Sequence, residues 1–155
     1  MARSADHVAA LNRVLELAVL VNIDMRRGLA ARGLTESRTH LLWELHQRGP
    51  STQRELADAL RVSPRNITGL VDALAATGFV SRQPHPRDRR ATQVHFTEHG
   101  AEVARRLERD QQEFARVLFE GMPTSHFSSL VHGLDAVLDR LRPLVPLQDR
   151  DVDDG

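Results

Sequence analysis

The chain has 155 residues, and its 21 basic side chains, every one an Arg, are cancelled by 21 Asp and Glu. This length suits one domain with a substantial core, and 41% hydrophobic with 27% charged residues is an ordinary globular balance. Because Cys is absent, disulfide scaffolds, thiolate zinc sites, Cys nucleophiles and thiol redox switches are excluded. No apolar run reaches the roughly 18 residues that cross a bilayer, and residues 1–8 lack the basic-then-apolar pattern of a secretory signal. A soluble, cytoplasmic chain without a membrane partner is expected.

From about Val8 to Arg32 the pattern is helical, and Val14 to Val21 is apolar almost all round. Such a helix needs cover on several sides, which in a small chain implies a partner subunit. Gly33 suits the left-handed position that ends a helix. Thr35 is the expected N-cap of a second helix, whose Leu41, Leu42 and Leu45 face a core before Gly49-Pro50 stops it. Two short helices follow. Thr52-Gln53-Arg54-Glu55 reads as a capping box opening the first, which runs to about Leu60. Ser63-Pro64 opens the second, with Ser as N-cap and Pro in the first helical position. Ile67, Leu70, Val71 and Leu74 form its buried stripe, and Gly78 closes it.

After Gly78 the periodicity becomes alternating. Phe79 to Arg82 predicts a short strand broken by Pro84 and Pro86. Thr92, Val94 and Phe96 alternate with Gln93, His95 and Thr97 in a second, half-buried strand. Between them His85-Pro86-Arg87-Asp88-Arg89-Arg90 is a polar, basic hairpin tip. Val103, Leu107, Phe114 and Leu118 then mark a long charged helix ending near Gly121, and Thr124 is the expected N-cap of a last one. Its apolar positions run from Phe127 to Val145 at helical spacing. The first and last helices together read as a dimerisation layer. Residues 148–155 form an acidic tail with nothing to bury, expected to fray.

Neutrality hides an uneven distribution. Residues 61–96 hold six Arg (61, 65, 82, 87, 89, 90) against Asp72 and Asp88, a balance of +4, whereas residues 97–155 hold seven Arg and 12 acids, a balance of −5. Local potential, not the total, decides whether a face attracts nucleic acid. The two short helices over residues 53–70 fit the helix-turn-helix. Leu56, Leu60, Val62, Ile67 and Leu70 take its core positions, and Ala57 is small where the helices cross. Arg61 occupies the turn, where Gly often supplies a positive φ, so strain or an altered turn is expected there. A basic two-stranded hairpin after it makes a winged helix. The expected fold is mainly α with a small β-hairpin wing, a winged helix-turn-helix plus a helical dimerisation layer.

These features resemble the MarR family of bacterial transcription regulators over about Val8 to Leu147. The carrying segments are Leu56-Ala57 through Val62-Ser63, Leu70 to Leu74 with Gly78-Phe79-Val80, and Asp88-Arg89-Arg90 followed by Val94, Phe96, Thr97 and Gly100. Gly69 departs from the polar or basic residue that many members carry. The resemblance implies a homodimer, with residues 1–34 and 98–147 as its helical dimerisation region and 35–97 as its winged helix-turn-helix. Double-stranded DNA with a pseudo-palindromic operator is the implied partner, with half-sites about one turn, roughly 10 bp, apart.

The candidate DNA contacts follow from chemistry and position. Arg65, Asn66 and Thr68 lie in the first turns of the recognition helix, off its core stripe; Arg suits guanine and Asn adenine in bidentate fashion. Ser63 and Thr52 serve as caps first and phosphate contacts second. Arg87, Arg89 and Arg90 are the wing candidates, and Arg82 is a weaker phosphate candidate. By resemblance Arg90 enters the minor groove and Asp88 orients the tip. The family also implies a small aromatic or anionic effector, for which Met25, Arg38, His40 and Trp43 are the candidates.

Eight His invite a metal reading, but neither His95 with His99 nor His126 with His132 has the spacing of a shared helical site. No metal and no cofactor is expected. Nor is an enzyme: no nucleophile elbow, glycine-rich phosphate loop or ligand spacing gathers the reactive side chains. The leading expectation is a dimeric repressor released from its operator by a small molecule. The alternative is a winged-helix protein-interaction module that binds no specific DNA.

Overall fold

A computed structural model describes residues 4–145 of the chain. The expected acidic tail, 148–155, and the last two residues of the region 98–147 lie outside the described residues. The described residues divide into two compact units, one ending at His40 and the other beginning at Leu41.

In the first unit, α1 runs Ser4–Ala30. Good helix formers dominate it, and the Gly33 N–H and Leu34 N–H return to Ala30 and Leu29 carbonyls with Gly33 at φ +68°. That left-handed step satisfies carbonyls the helix leaves open. Helix α2, Glu36–Arg48, begins here, and its expected cap is present: the Arg38 N–H donates to Thr35 Oγ1 at 3.3 Å.

The second unit carries a core of Leu41, Leu42, Leu45, Leu56, Ile67, Val71, Leu74 and Val94, all nearly inaccessible to solvent. Each such aliphatic contributes about 1.5–3 kcal/mol relative to exposure. Helix α3 (Gln53–Leu60) packs on α4 (Pro64–Ala76). Leu56, Ala57, Ile67 and Leu70 are buried between and beneath them as the pattern requires, whereas Leu60 and Val62 are half-buried. Strands β2 (Val80–Pro84) and β3 (Thr92–Phe96) pair antiparallel from Val80↔Phe96 to Pro84↔Thr92. Helices α5 (Glu98–Phe119) and α6 (Thr124–Leu141) follow, with a 3₁₀ turn at Arg142–Leu144.

Four local expectations need correction. The sheet has three strands, not two: Ser51-Thr52 form β1, paired with Val94 and Gln93, in the order β1-β3-β2. Two residues carry no readable alternation, and their pairing is supplied by β3. Pro84 does not break its strand but ends it, tolerated because β2 is an edge strand. Of the expected inward face of β3 only Val94 is buried; Phe96 is half-buried and Thr92 exposed. Thr124 is the first residue of α6 rather than its cap. Pro123, extended at ψ 138°, holds the cap position, and its carbonyl accepts the Phe127 N–H. Proline fixes φ, so the helix begins directly after it.

Two backbone positions are tightly constrained. Arg61 is the described non-glycine residue with positive φ, 55°, and its N–H closes α3 onto Ala57 and Asp58. The strained form of the turn is therefore the one adopted. Gly100 sits against the Phe79 carbonyl so closely that a Cβ would lie 1.8 Å from its oxygen. Gly100→Ala is expected to cost about 2–4 kcal/mol in a denaturant or thermal melt, because backbone rather than a flexible side chain would have to move. Arg61→Gly is expected to add about 1 kcal/mol and raise Tm by about 2–4 °C, by relieving the left-handed residue.

Candidate nucleic-acid interface

Both helices of the helix-turn-helix are fixed at their starts. The Thr52 hydroxyl accepts from the Glu55 N–H at 3.2 Å, and Glu55 Oε2 accepts from the Thr52 N–H at 2.7 Å. The capping box is thus complete. Ser63 Oγ accepts from the Asn66 N–H at 3.2 Å, and Pro64 occupies the first helical position. Thr52 and Ser63 are caps in fact as well as in pattern.

Burial of Ile67, Leu70, Val71 and Leu74 turns the opposite side of α4 outward. Arg65, Thr68, Gly69 and Asp72 share that exposed stripe at i, i+3, i+4 and i+7, with Asn66 half-buried beside it. A Cβ on Gly69 would meet nothing within 4 Å, so the stripe carries a bare backbone patch.

The wing tip is an organised turn. His85 Nδ1 accepts the N–H groups of Arg87 and Asp88, each at 3.1 Å, and the His85 N–H donates to the Ala91 carbonyl at 2.9 Å. Asp88 Oδ1 accepts the Arg90 N–H at 3.0 Å. Asp88 therefore shapes the tip through the backbone, while Arg87, Arg89 and Arg90 remain exposed. Among the described residues, none of Arg65, Arg87, Arg89 and Arg90 forms an ion pair.

Arg82 differs. Its Nε donates to Gln53 Oε1 at 2.9 Å and its Nη2 to Asp72 Oδ1 at 2.6 Å. Gln53 Nε2 in turn donates to Thr68 Oγ1 at 3.1 Å, and that hydroxyl donates to the Pro64 carbonyl at 2.9 Å. The path leaves α4 at Asp72, crosses β2 and the first residue of α3, and re-enters α4 at Thr68. Gln53 and Asp72 were not among the sequence candidates. Their partners lie 10, 15 and 29 residues away, beyond any local pattern.

The effector candidates are distributed along the chain. Met25 on α1 and His40 on α2 are exposed, and Arg38 is half-buried. Trp43, in the second unit, is half-buried, with its ring 6.0 Å from that of His46. His46 Nε2 lies 3.1 Å from Glu108 Oε2 on α5. Among the described residues no three His, Asp or Glu are grouped to hold a metal ion. None of the described helices is long and apolar enough to cross a membrane.

The Thr52 backbone N–H, then its hydroxyl, hold the Glu55 carboxyl below its ordinary 4.5, with smaller help from His85 and Arg48 charges. A depressed carboxylate contributes stability that is present above the ordinary value and lost as pH falls through the lowered one. Glu55→Ala is expected to cost about 0.5–1 kcal/mol by thermal melting, constant above about pH 5 and shrinking in more acidic buffer. A penalty that grew on acidification would contradict the capping geometry.

The model of the MarR family matches residues 34–92, the span from before α2 to the start of β3. The chain is 34% identical over 110 residues to an HTH-type transcriptional regulator of Mycobacterium bovis, covering 70% of this chain and 77% of that protein. It is 29% identical to the HTH-type transcriptional repressor IacR of Pseudomonas putida, over 78% of this chain and 72% of that one. Among solved structures, the transcriptional regulator Tm0710 of Thermotoga maritima matches at 27% identity and TM-score 0.59, covering 87% of this chain and 98% of its own. FabT of Streptococcus pneumoniae, solved in complex with DNA, shares the fold at TM-score 0.75 and 19% identity, covering 89% and 99%. With a helix-turn-helix, a wing and relatives that are regulators rather than enzymes, this chain belongs to the MarR family of HTH-type transcriptional regulators.

Proposed function

We propose that the chain is a homodimeric repressor that binds a pseudo-palindromic operator and leaves it when a small aromatic or anionic effector binds. The observation that carries this reading is the exposed stripe of α4, with Arg65 and Thr68 and the half-buried Asn66 at its margin, together with a preformed tip bearing Arg87, Arg89 and Arg90. The stripe suits base edges in a major groove, and the tip suits phosphates and the minor groove. Ser63, at the start of α4, adds a hydroxyl toward phosphate, whereas the Thr52 hydroxyl already donates to Glu55 Oε2 at 2.9 Å and acts on the interface as a cap.

Dimerisation is supported by apolar surface that the single chain leaves in water. Leu11, Leu15, Val19 and Leu20 of α1 are each more than half exposed. Val117, Leu118 and Phe119 of α5 and Val131, Leu138 and Leu141 of α6 add to it. Exposed apolar side chains repeated along each of these helices suit burial against a second copy of the chain. Residues 1–34 and 98–147 supply the dimerisation region in this reading, and 35–97 the winged helix-turn-helix. Met25, Arg38, His40 and Trp43 are the residues assigned to the effector; with no Cys, a thiol oxidant is not the signal.

Quantitative binding to genomic fragments selected by the purified protein tests the reading. Affinity is expected to fall steeply with salt. Arg90→Ala should weaken binding about equally across sequences and lower the salt slope by about one. Asn66→Ala should cost roughly 1–3 kcal/mol at particular base pairs and relax preference there. Retention of full affinity when Arg65, Asn66 and Arg90 are all replaced would sink the mechanism.

A further inference from the structure

Asp72 poses a problem for a DNA-facing helix. It shares the exposed stripe of α4 with Arg65 two turns earlier, and its side chain is 59% exposed. A carboxylate there repels phosphates. Its nearest cation, Arg82, is held from two sides, by Asp72 itself and by Gln53. Both bonds engage the guanidinium fork, so its orientation is set by the protein.

We propose that Arg82 is a positioning residue that masks Asp72 and clamps the recognition helix, and is not itself a phosphate contact. This rests on the DNA-binding reading above. The pair is too exposed to matter much for folding, since surface ion pairs contribute about 0–1 kcal/mol. Its effect is on the field that an approaching duplex meets: masked, the stripe presents Arg65 without an opposing charge; unmasked, it presents both. The Gln53 amide extends the clamp, because one face of it holds the Arg82 guanidinium and the other holds Thr68. The wing strand, the start of α3 and two successive turns of α4 are thereby tied to one another through side chains alone.

The two roles of Arg82 separate in a double-variant cycle, measured as affinity for a genomic fragment selected by the wild-type protein and for a random duplex. Arg82→Gln should weaken both on the order of tenfold, because it uncovers Asp72. Adding Asp72→Asn should recover most of that loss, since the net charge of the stripe is restored. Arg82→Lys, which keeps the cation but not the fork, should retain most of the affinity. Thermal melts of each variant report whether folding has changed; should Arg82→Gln fail to fold, the double variant and Arg82→Lys still carry the comparison. A double variant as weak as Arg82→Gln, with a salt slope lowered by about 0.9, would make Arg82 a phosphate contact and overturn the proposal. Arg82→Gln binding as tightly as wild type would overturn it equally. If the wild-type protein itself selects no fragment and binds no duplex, the regulator reading fails and this proposal with it.

Discussion

Much of the second unit depends on one close approach, the seating of Gly100 on the carbonyl of Phe79. Phe79 follows the left-handed Gly78 that ends α4, and its N–H closes that helix on the Leu74 carbonyl. Its carbonyl accepts the Thr97 N–H, and the Thr97 hydroxyl donates to the Gly78 carbonyl while accepting the Gly100 N–H. The end of the recognition helix, the start of β2, the end of β3 and the first turn of α5 meet within these few residues. Backbone and one hydroxyl do the joining, so the geometry tolerates little variation in side-chain size. The direction in which the wing leaves α4 is fixed here before any arginine is considered.

Charge is arranged on that scaffold in two distinct ways. Arg65, Arg87, Arg89 and Arg90 stand exposed without carboxylate partners among the described residues. Arg82 belongs to the same basic stretch of sequence but is consumed by Asp72 and Gln53. The +4 balance of that stretch thus combines charge paired within the fold with charge that faces solvent, and only the latter is available to a partner. The absence of Lys sharpens the distinction: a guanidinium can fix two partners at once, which an ammonium does less selectively.

Local pattern made most of the framework readable. The capping box at Thr52, the Ser63-Pro64 start, the stripe from Ile67 to Leu74 and the left-handed Gly33 and Gly78 all rest on residues within four or five positions of each other. What was hidden depended on distant partners. Ser51-Thr52 becomes a strand only because β3 lies alongside it. Gln53 and Asp72 gain their roles from Arg82, and the crowding at Gly100 comes from a residue 21 positions earlier. The N-cap expected of Thr124 failed for a local reason, since Pro123 already holds the extended conformation that a cap requires. The candidate residues of the stripe and tip were legible as positions, because burial of one helix face dictates what the other exposes.

The tip of the wing has a final consequence. His85 Nδ1 and Asp88 Oδ1 close the turn on its own N–H groups, so the backbone surrenders its conformational freedom when the protein folds. Only the rotamers of Arg87, Arg89 and Arg90 remain to be frozen at an encounter, each at about 0.5–1.5 kcal/mol. A loop that ordered on contact would add a backbone term for every residue it fixed. Preorganisation of this kind favours rapid, reversible engagement over induced folding, and it comes from one imidazole and one carboxylate that need touch no ligand.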